Sequence, residues 1–206
     1  PKEHPIMELR PRPSDNPRKL YHNLYQAMRY ANRKLKGRKL IWLTGAMPLE
    51  NWGLGGHLHF GKIPLQFQLV RVLDEYLALP FRILEDPRGI RRRPRYGRLG
   101  DVRAKRHGFE YRCLPSFIVS PRITLAVFVL AKFLAEHYRD LPLAGLAYNT
   151  QWIQQYYRGN GAELYPVIES RLAIIERHPD FEQISAQVQP LFNRIREGTP
   201  FDERQD

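Results

Sequence analysis

The run Gly55-Gly56-His57-Leu58-His59-Phe60-Gly61 places two imidazoles two positions apart. In an extended strand alternate side chains share a face, so His57 and His59 point one way and Leu58 and Phe60 the other. The same alternation recurs in Phe109-Glu110-Tyr111-Arg112-Cys113, which separates Glu110 and Arg112 from their apolar neighbours, and in Met7-Glu8-Leu9-Arg10, which sets Glu8 beside Arg10. Every polar position in these three runs is a potential metal ligand or anion binder. Neutral imidazole binds Zn²⁺ and related ions, carboxylate is the hard ligand that Mg²⁺ takes together with phosphate and water, and a neighbouring guanidinium can clamp a phosphate or carboxylate bidentately. Each run also has a plainer reading. Alternation of this kind suits any half-exposed antiparallel strand, the Glu and Arg residues can form cross-strand salt bridges, and His59 can be a hydrogen-bonded structural histidine. The other histidines, His4, His22, His107, His137 and His178, stand singly in the sequence, so a zinc site is not supported.

These residues need a sheet to hold them. Strands over 6–10, around His57 and around Glu110 predict an antiparallel sheet, apolar on one side and polar on the other. Lys39 to Ala46, apolar around Ile41, Trp42 and Leu43, predicts a further, central strand. Helices fill the rest. Ser14 or Asp15 caps a helix with Leu20, Leu24, Ala31 and Leu35 at helical spacing; Pro64 opens a second helix that Pro80 closes; Ser120-Pro121 opens a third, apolar nearly all round from Ile123 to Leu134. Three more follow residue 149, and Pro190 kinks or restarts the last of them. The fold class is therefore α+β, a curved antiparallel sheet with helices on its apolar face. Residues 1–160 read as the catalytic domain and 161–206 as accessory helices.

The 206 residues carry a formal net charge of +12, which implies an anionic partner and says nothing of fold. From Arg88 to Arg112 ten basic residues face only Asp101 and Glu110, so most of the excess lies there, in a stretch that Gly89, Gly97, Gly100 and Gly108 mark as loop. The single cysteine, Cys113, excludes an intramolecular disulfide and fits the cytoplasm. The longest apolar run is too short to span a bilayer, so no membrane partner is expected. The sequence begins at Pro1 and enters the first expected strand almost at once, so an upstream segment or a second chain is expected to complete the sheet.

Gly55-Gly-His-Leu-His-Phe60, Arg95-Tyr-Gly-Arg-Leu-Gly-Asp-Val-Arg103 and Gly108-Phe-Glu-Tyr-Arg-Cys-Leu-Pro-Ser116, preceded by Glu8-Leu-Arg-Pro11, together resemble the phage-type carboxylate-amine ligases. That family is similar in turn to glutamine synthetase and glutamate-cysteine ligase. The resemblance implies a glutamine synthetase-like sheet, N-terminal strands additional to those seen here, and a reaction in which ATP and Mg²⁺ activate a carboxylate as an acyl phosphate that an amine then displaces. It implies small-molecule or peptide carboxylate and amine substrates. By motif position His57, Glu110 and Glu8 would hold metal, while Arg112, Glu110 and His59 would act on the reacting groups. Arg95, Arg98, Arg103 and Arg10 would neutralise the nucleotide. Phosphoryl transfer needs such positioning and charge neutralisation more than covalent chemistry. The competing reading is a non-enzymatic nucleic-acid-binding or structural phage protein whose arginine loop tracks a phosphate backbone; it is less favoured because the strand pattern turns Phe109 and Tyr111 to the core.

Overall fold

Asn16 accepts a hydrogen bond from the Lys19 N–H at 3.1 Å, and Pro17 takes the first helical position; together they start α1 (Pro17–Lys34). The computed structural model describes residues 6–93, 95–158 and 161–203; His4 lies outside them. The chain divides into two compact units, Pro1–Trp42 and Leu43–Asp206. In the first, α1 is tied to the segment before it by the Asn23 side chain, which donates to the Arg12 carbonyl at 2.8 Å. Only Leu24 of the expected helical stripe is buried.

Two expected strands are absent among the described residues. Residues 6–10 and 39–46 form no strand there, with Ile41 78% exposed and Trp42 51% exposed. Apolar, β-prone composition makes a strand only where a neighbouring strand takes up the backbone hydrogen bonds, and the sheet found among the described residues includes neither segment.

The second unit contains the sheet: β1 (Leu58–Gly61), β2 (Val102–Lys105) and β3 (Gly108–Tyr111), antiparallel in the order β1-β3-β2. Its third member comes from the arginine-rich stretch read as loop. Arg106 and His107 make a two-residue turn that closes β2 and β3 into a hairpin, with Lys105 opposite Gly108. Gly108 has φ +148°, and a Cβ there would lie 2.0 Å from the Phe60 carbonyl oxygen, so glycine is what lets β1 pair with β3.

Helices bury the apolar side. The expected cap is present: Ser120 accepts from the Ile123 N–H at 3.2 Å and starts α4 (Pro121–His137), whose residues from Ile123 to Leu134 are nearly all buried against α2 (Phe67–Leu73) and α7 (Glu182–Glu197). Pro80 does not close α2. A π-helical turn, Asp74–Ala78, widens the helix ahead of the proline and carries it on into α3 (Leu79–Phe81) and a 3₁₀ turn, Arg82–Leu84. Looser i→i+5 bonding accommodates the residue that has no N–H to give. The chain continues through α5 (Thr150–Arg158) and α6 (Tyr165–Glu176). Likewise α7 runs unbroken through Pro190; its packing through Val188, Leu191, Phe192 and Ile195 offsets the lost backbone bond.

The arginine stretch is anchored from below. Arg93 donates two hydrogen bonds, both 2.7 Å, to the buried Glu85 carboxylate, with Arg92 3.6 Å and Arg82 4.0 Å away. Burial alone would raise the Glu85 pKa, but Arg93, then Arg92 and Arg82, hold it below the usual range. Glu85→Gln should cost about 3–5 kcal/mol in urea unfolding, because it leaves three guanidiniums buried without their counter-charge; a loss under about 1 kcal/mol would show that Glu85 does not hold them.

Candidate functional site

Cross-strand register decides what meets on the polar face. Glu110, central in β3, lies opposite His59 of β1 and opposite Arg103 of β2. Residues directly opposite in a sheet share a face, so all three belong to one surface. His57, just before β1, and Arg112, just after β3, flank them. The neighbours of Glu110, Phe109 and Tyr111, are fully buried on the other side, and Phe60 stacks on Phe109 with ring centroids 4.9 Å apart.

The Glu110 carboxylate is only 3% exposed and is ringed by cations. His57 Nδ1 lies 3.0 Å and Arg112 Nε 3.4 Å from Oε1; Lys105 Nζ lies 2.9 Å and Arg103 Nη1 3.6 Å from Oε2. Burial works to raise its pKa, but the hydrogen bond from Lys105 and the charges of His57 and Arg103 outweigh it, so Glu110 is held as the anion. Glu110 and Asp101, the latter 3.7 Å from Arg112, cannot together neutralise three permanent cations. The cluster therefore keeps a net positive field at the surface, where Arg103 is about half exposed.

From this cluster the site extends along the loop before β2. Arg112 reaches Asp101 at 3.7 Å, and Asp101 lines a shallow pocket with Arg98, Leu99, Gly100, Val102 and Tyr157. Arg95 is exposed outside that lining. Glu8 and Arg10 belong to the first unit, where Arg10 donates to Glu8 at 2.8 Å. Lys105, Asp101 and Tyr157 were not singled out from the sequence. Lys105 was counted only as charge, although its place two residues after Arg103 is the signal of a shared strand face.

The arrangement suits a polyphosphate through its surplus of guanidinium and ammonium. For a divalent metal the protein offers one carboxylate and one imidazole here, and among the described residues no third His, Cys, Asp or Glu converges on them. That pair fits Mg²⁺ only as an ion that brings most of its shell as phosphate and water. Elsewhere the histidine reading needs correction. His137 and His178, read as solitary, come together with Asp180, 40 or more residues along the chain from the end of α4 to the turn after α6.

Directly beneath the sheet lies Asp74. Its Oδ1 accepts from the Tyr111 hydroxyl at 2.7 Å, from the Gly100 N–H at 3.1 Å and from the Cys113 thiol at 3.6 Å, so it ties the π-helical turn to β3 and to the pocket loop. Burial, the largest influence, pushes its pKa up to about 6 despite those bonds. Between its ordinary 3.8 and about 6, folded Asp74 keeps a proton that the unfolded chain has released, so stability falls as pH rises through that window. The fall from this group is about 3 kcal/mol. Asp74→Asn should remove it, seen as a flatter dependence of unfolding free energy on pH from 4 to 6; parallel curves for both proteins would refute the assignment.

A family model described as phage phiEco32-like COOH.NH2 ligase-type 2 matches residues 1–206. No curated protein and no solved structure matches the chain. Among the described residues no helix is long and apolar enough to cross a membrane.

Proposed function

The chain belongs to the phage phiEco32-like COOH.NH2 ligase-type 2 family, and from that premise we propose an ATP- and Mg²⁺-dependent carboxylate-amine ligase acting at the polar face around Glu110. The observation that carries the reading is the ring of His57, Lys105, Arg103 and Arg112 around one buried carboxylate. Such a field stabilises an anion that gains charge as it reacts.

In this reading a substrate carboxylate oxygen attacks the γ-phosphorus of ATP, the bond to the bridging oxygen breaks, and ADP leaves. The amine nitrogen then attacks the acyl carbon, the C–O bond to phosphate breaks, and the nitrogen gives up a proton as the amide forms. Arg112 and Arg103 offset charge on the transferring group; Arg98, Arg95 and the pocket loop take the rest of the nucleotide. In this reading His59, opposite Glu110 in register, accepts the amine proton. A Mg²⁺ held by Glu110 and His57 would neutralise charge shared between neighbouring phosphates. The finer fold expectation, a glutamine synthetase-like sheet, belongs to the same proposal and is supported by the separation of apolar and polar sheet faces. Glu8 and Arg10 enter it as further metal and nucleotide ligands on the strength of their motif alone.

The nucleic-acid reading draws less support. Much of the arginine stretch is committed internally: Arg92 and Arg93 are buried with Glu85, and Arg88 pairs with Asp86 at 2.5 Å. A surface that tracks phosphate backbone keeps its cations free for exchange with counterions.

Mg²⁺-ATP should raise the melting temperature of the wild-type protein, whereas duplex DNA should bind weakly and release with salt. Glu110→Gln should abolish the metal-dependent part of the nucleotide shift. Arg112→Lys keeps charge but loses the planar fork, and should slow ATP turnover roughly 100-fold while nucleotide binding changes little. Normal ATP turnover by both variants would overturn the site, and salt-resistant DNA binding without a nucleotide shift would overturn the ligase reading.

A further inference from the structure

We propose that His137, His178 and Asp180 form a binding site for a Zn²⁺-type divalent cation, separate from the Glu110 cluster, that fastens the end of α4 to the turn between α6 and α7. One donor atom from each of the three residues lies within 4.8 Å of the other two. Asp180 Oδ2 is 3.7 Å from His137 Nε2 and 3.9 Å from His178 Nδ1. Bonds of about 2.0–2.1 Å in a tetrahedral zinc site place donors roughly 3.3 Å apart, so these two edges contract by about half an ångström on binding, and the third, between the imidazoles, closes from at most 4.8 Å.

The surroundings already aim the ligands. His137 is the last residue of α4, and its ring stacks obliquely on Phe133 at 4.5 Å, while His178 meets the same Phe133 edge-on at 5.0 Å. The two imidazoles thereby face each other with centroids 4.3 Å apart and planes at 58°. On the carboxylate, Oδ1 accepts from the Gln183 amide at 2.8 Å, which turns Oδ2 toward the rings. Hydrogen bonding of the second oxygen is how proteins orient carboxylate ligands to metals. The Asp180 N–H donates to His178 Nδ1 at 3.2 Å, so that nitrogen holds its lone pair and the proton sits on Nε2; ion binding at Nδ1 replaces this hydrogen bond. At His137 the proton must sit on Nδ1 for Nε2 to bind.

Donor chemistry selects the ion. Two imidazoles and one carboxylate match Zn²⁺ and its neighbours Co²⁺ and Ni²⁺, whereas Mg²⁺ and Ca²⁺ take oxygen shells. The side chains of His137, His178 and Asp180 are 22%, 15% and 45% exposed, open enough for an ion to enter and for water to complete the shell. Nearby Lys132 is turned onto Glu136, and Arg139 lies over the Tyr138 ring, so neither cation points its charge into the site. Binding draws the carboxylate and both imidazoles onto one ion.

The test uses the full chain after chelator treatment, without nucleotide, and titrates Co²⁺ as a spectroscopic probe and Zn²⁺ by calorimetry. The expected result is saturable binding of roughly one equivalent with a visible tetrahedral Co²⁺ band, and a melting temperature raised by roughly 5 °C at a hundredfold excess of Zn²⁺ over Kd. The band should vanish in the His137→Ala, His178→Ala double variant and persist in Glu110→Gln. Asp180→Asn, isosteric and half-exposed, should fold normally and bind at least about tenfold more weakly. Absence of saturable binding by the wild type, or unchanged affinity in Asp180→Asn, overturns the site whatever the fate of the ligase reading.

Discussion

Glu85 is the constraint on which the site depends. An arginine-rich stretch would ordinarily remain in water, since each guanidinium loses strong hydration on burial. Here one buried carboxylate draws Arg93 into a two-point hydrogen bond and lets Arg92 enter as well, where it donates to the Leu114 carbonyl at 2.8 Å. Arg93 also lies over the Tyr156 ring at 4.4 Å, and Tyr156 donates to the Gly97 carbonyl at 3.0 Å. The loop is therefore held at both its backbone and its side chains. Only a loop so pinned can deliver β2 in register beside β3, and with it Arg103 and Lys105 to Glu110.

A second carboxylate supports the assembly from the helical side. Glu75, on the π-helical turn, accepts from the backbone N–H groups of Gly145 at 3.1 Å and Leu146 at 2.9 Å, and thereby fixes the connection after α4. Its neighbour Asp74 reaches the opposite way, to Tyr111 and Gly100. The π-helical turn thus presents two adjacent acids to two different loops. Charge placement follows a common rule in this unit: single buried acids hold several cationic or N–H donors each. At Glu85 the result is rigidity; at Glu110, which borders solvent, the cations outnumber the acids.

The polar and apolar faces of the sheet are coupled through the same strand. Phe109 and Tyr111 secure β3 to the helices, and that burial keeps Glu110 facing out between two partner strands. A slip of one residue would put Glu110 in the core and a phenyl ring on the surface, so the packing energy of two aromatic residues enforces the register of the chemistry.

What the sequence determined by itself was local. Alternation in His57 to Phe60 and Phe109 to Cys113, the Ser120-Pro121 helix start and the apolar length of α4 depend on neighbours within a few residues, and all were legible as such. Tertiary structure decided the rest. Residues 6–10 and 39–46 had the composition of strands but join no sheet among the described residues, while Val102–Lys105, charged and next to glycines, became a strand because a tight turn folded it onto β3. Pro80 read as a helix end and Pro190 as a kink or restart, yet both helices run on past them. The burial of Arg92 and Arg93, the cation ring of Glu110 and the meeting of His137 with His178 and Asp180 each depend on residues far apart in the chain. Periodicity reports which face a side chain takes, but the partner on that face is set by register and packing, which no single stretch contains.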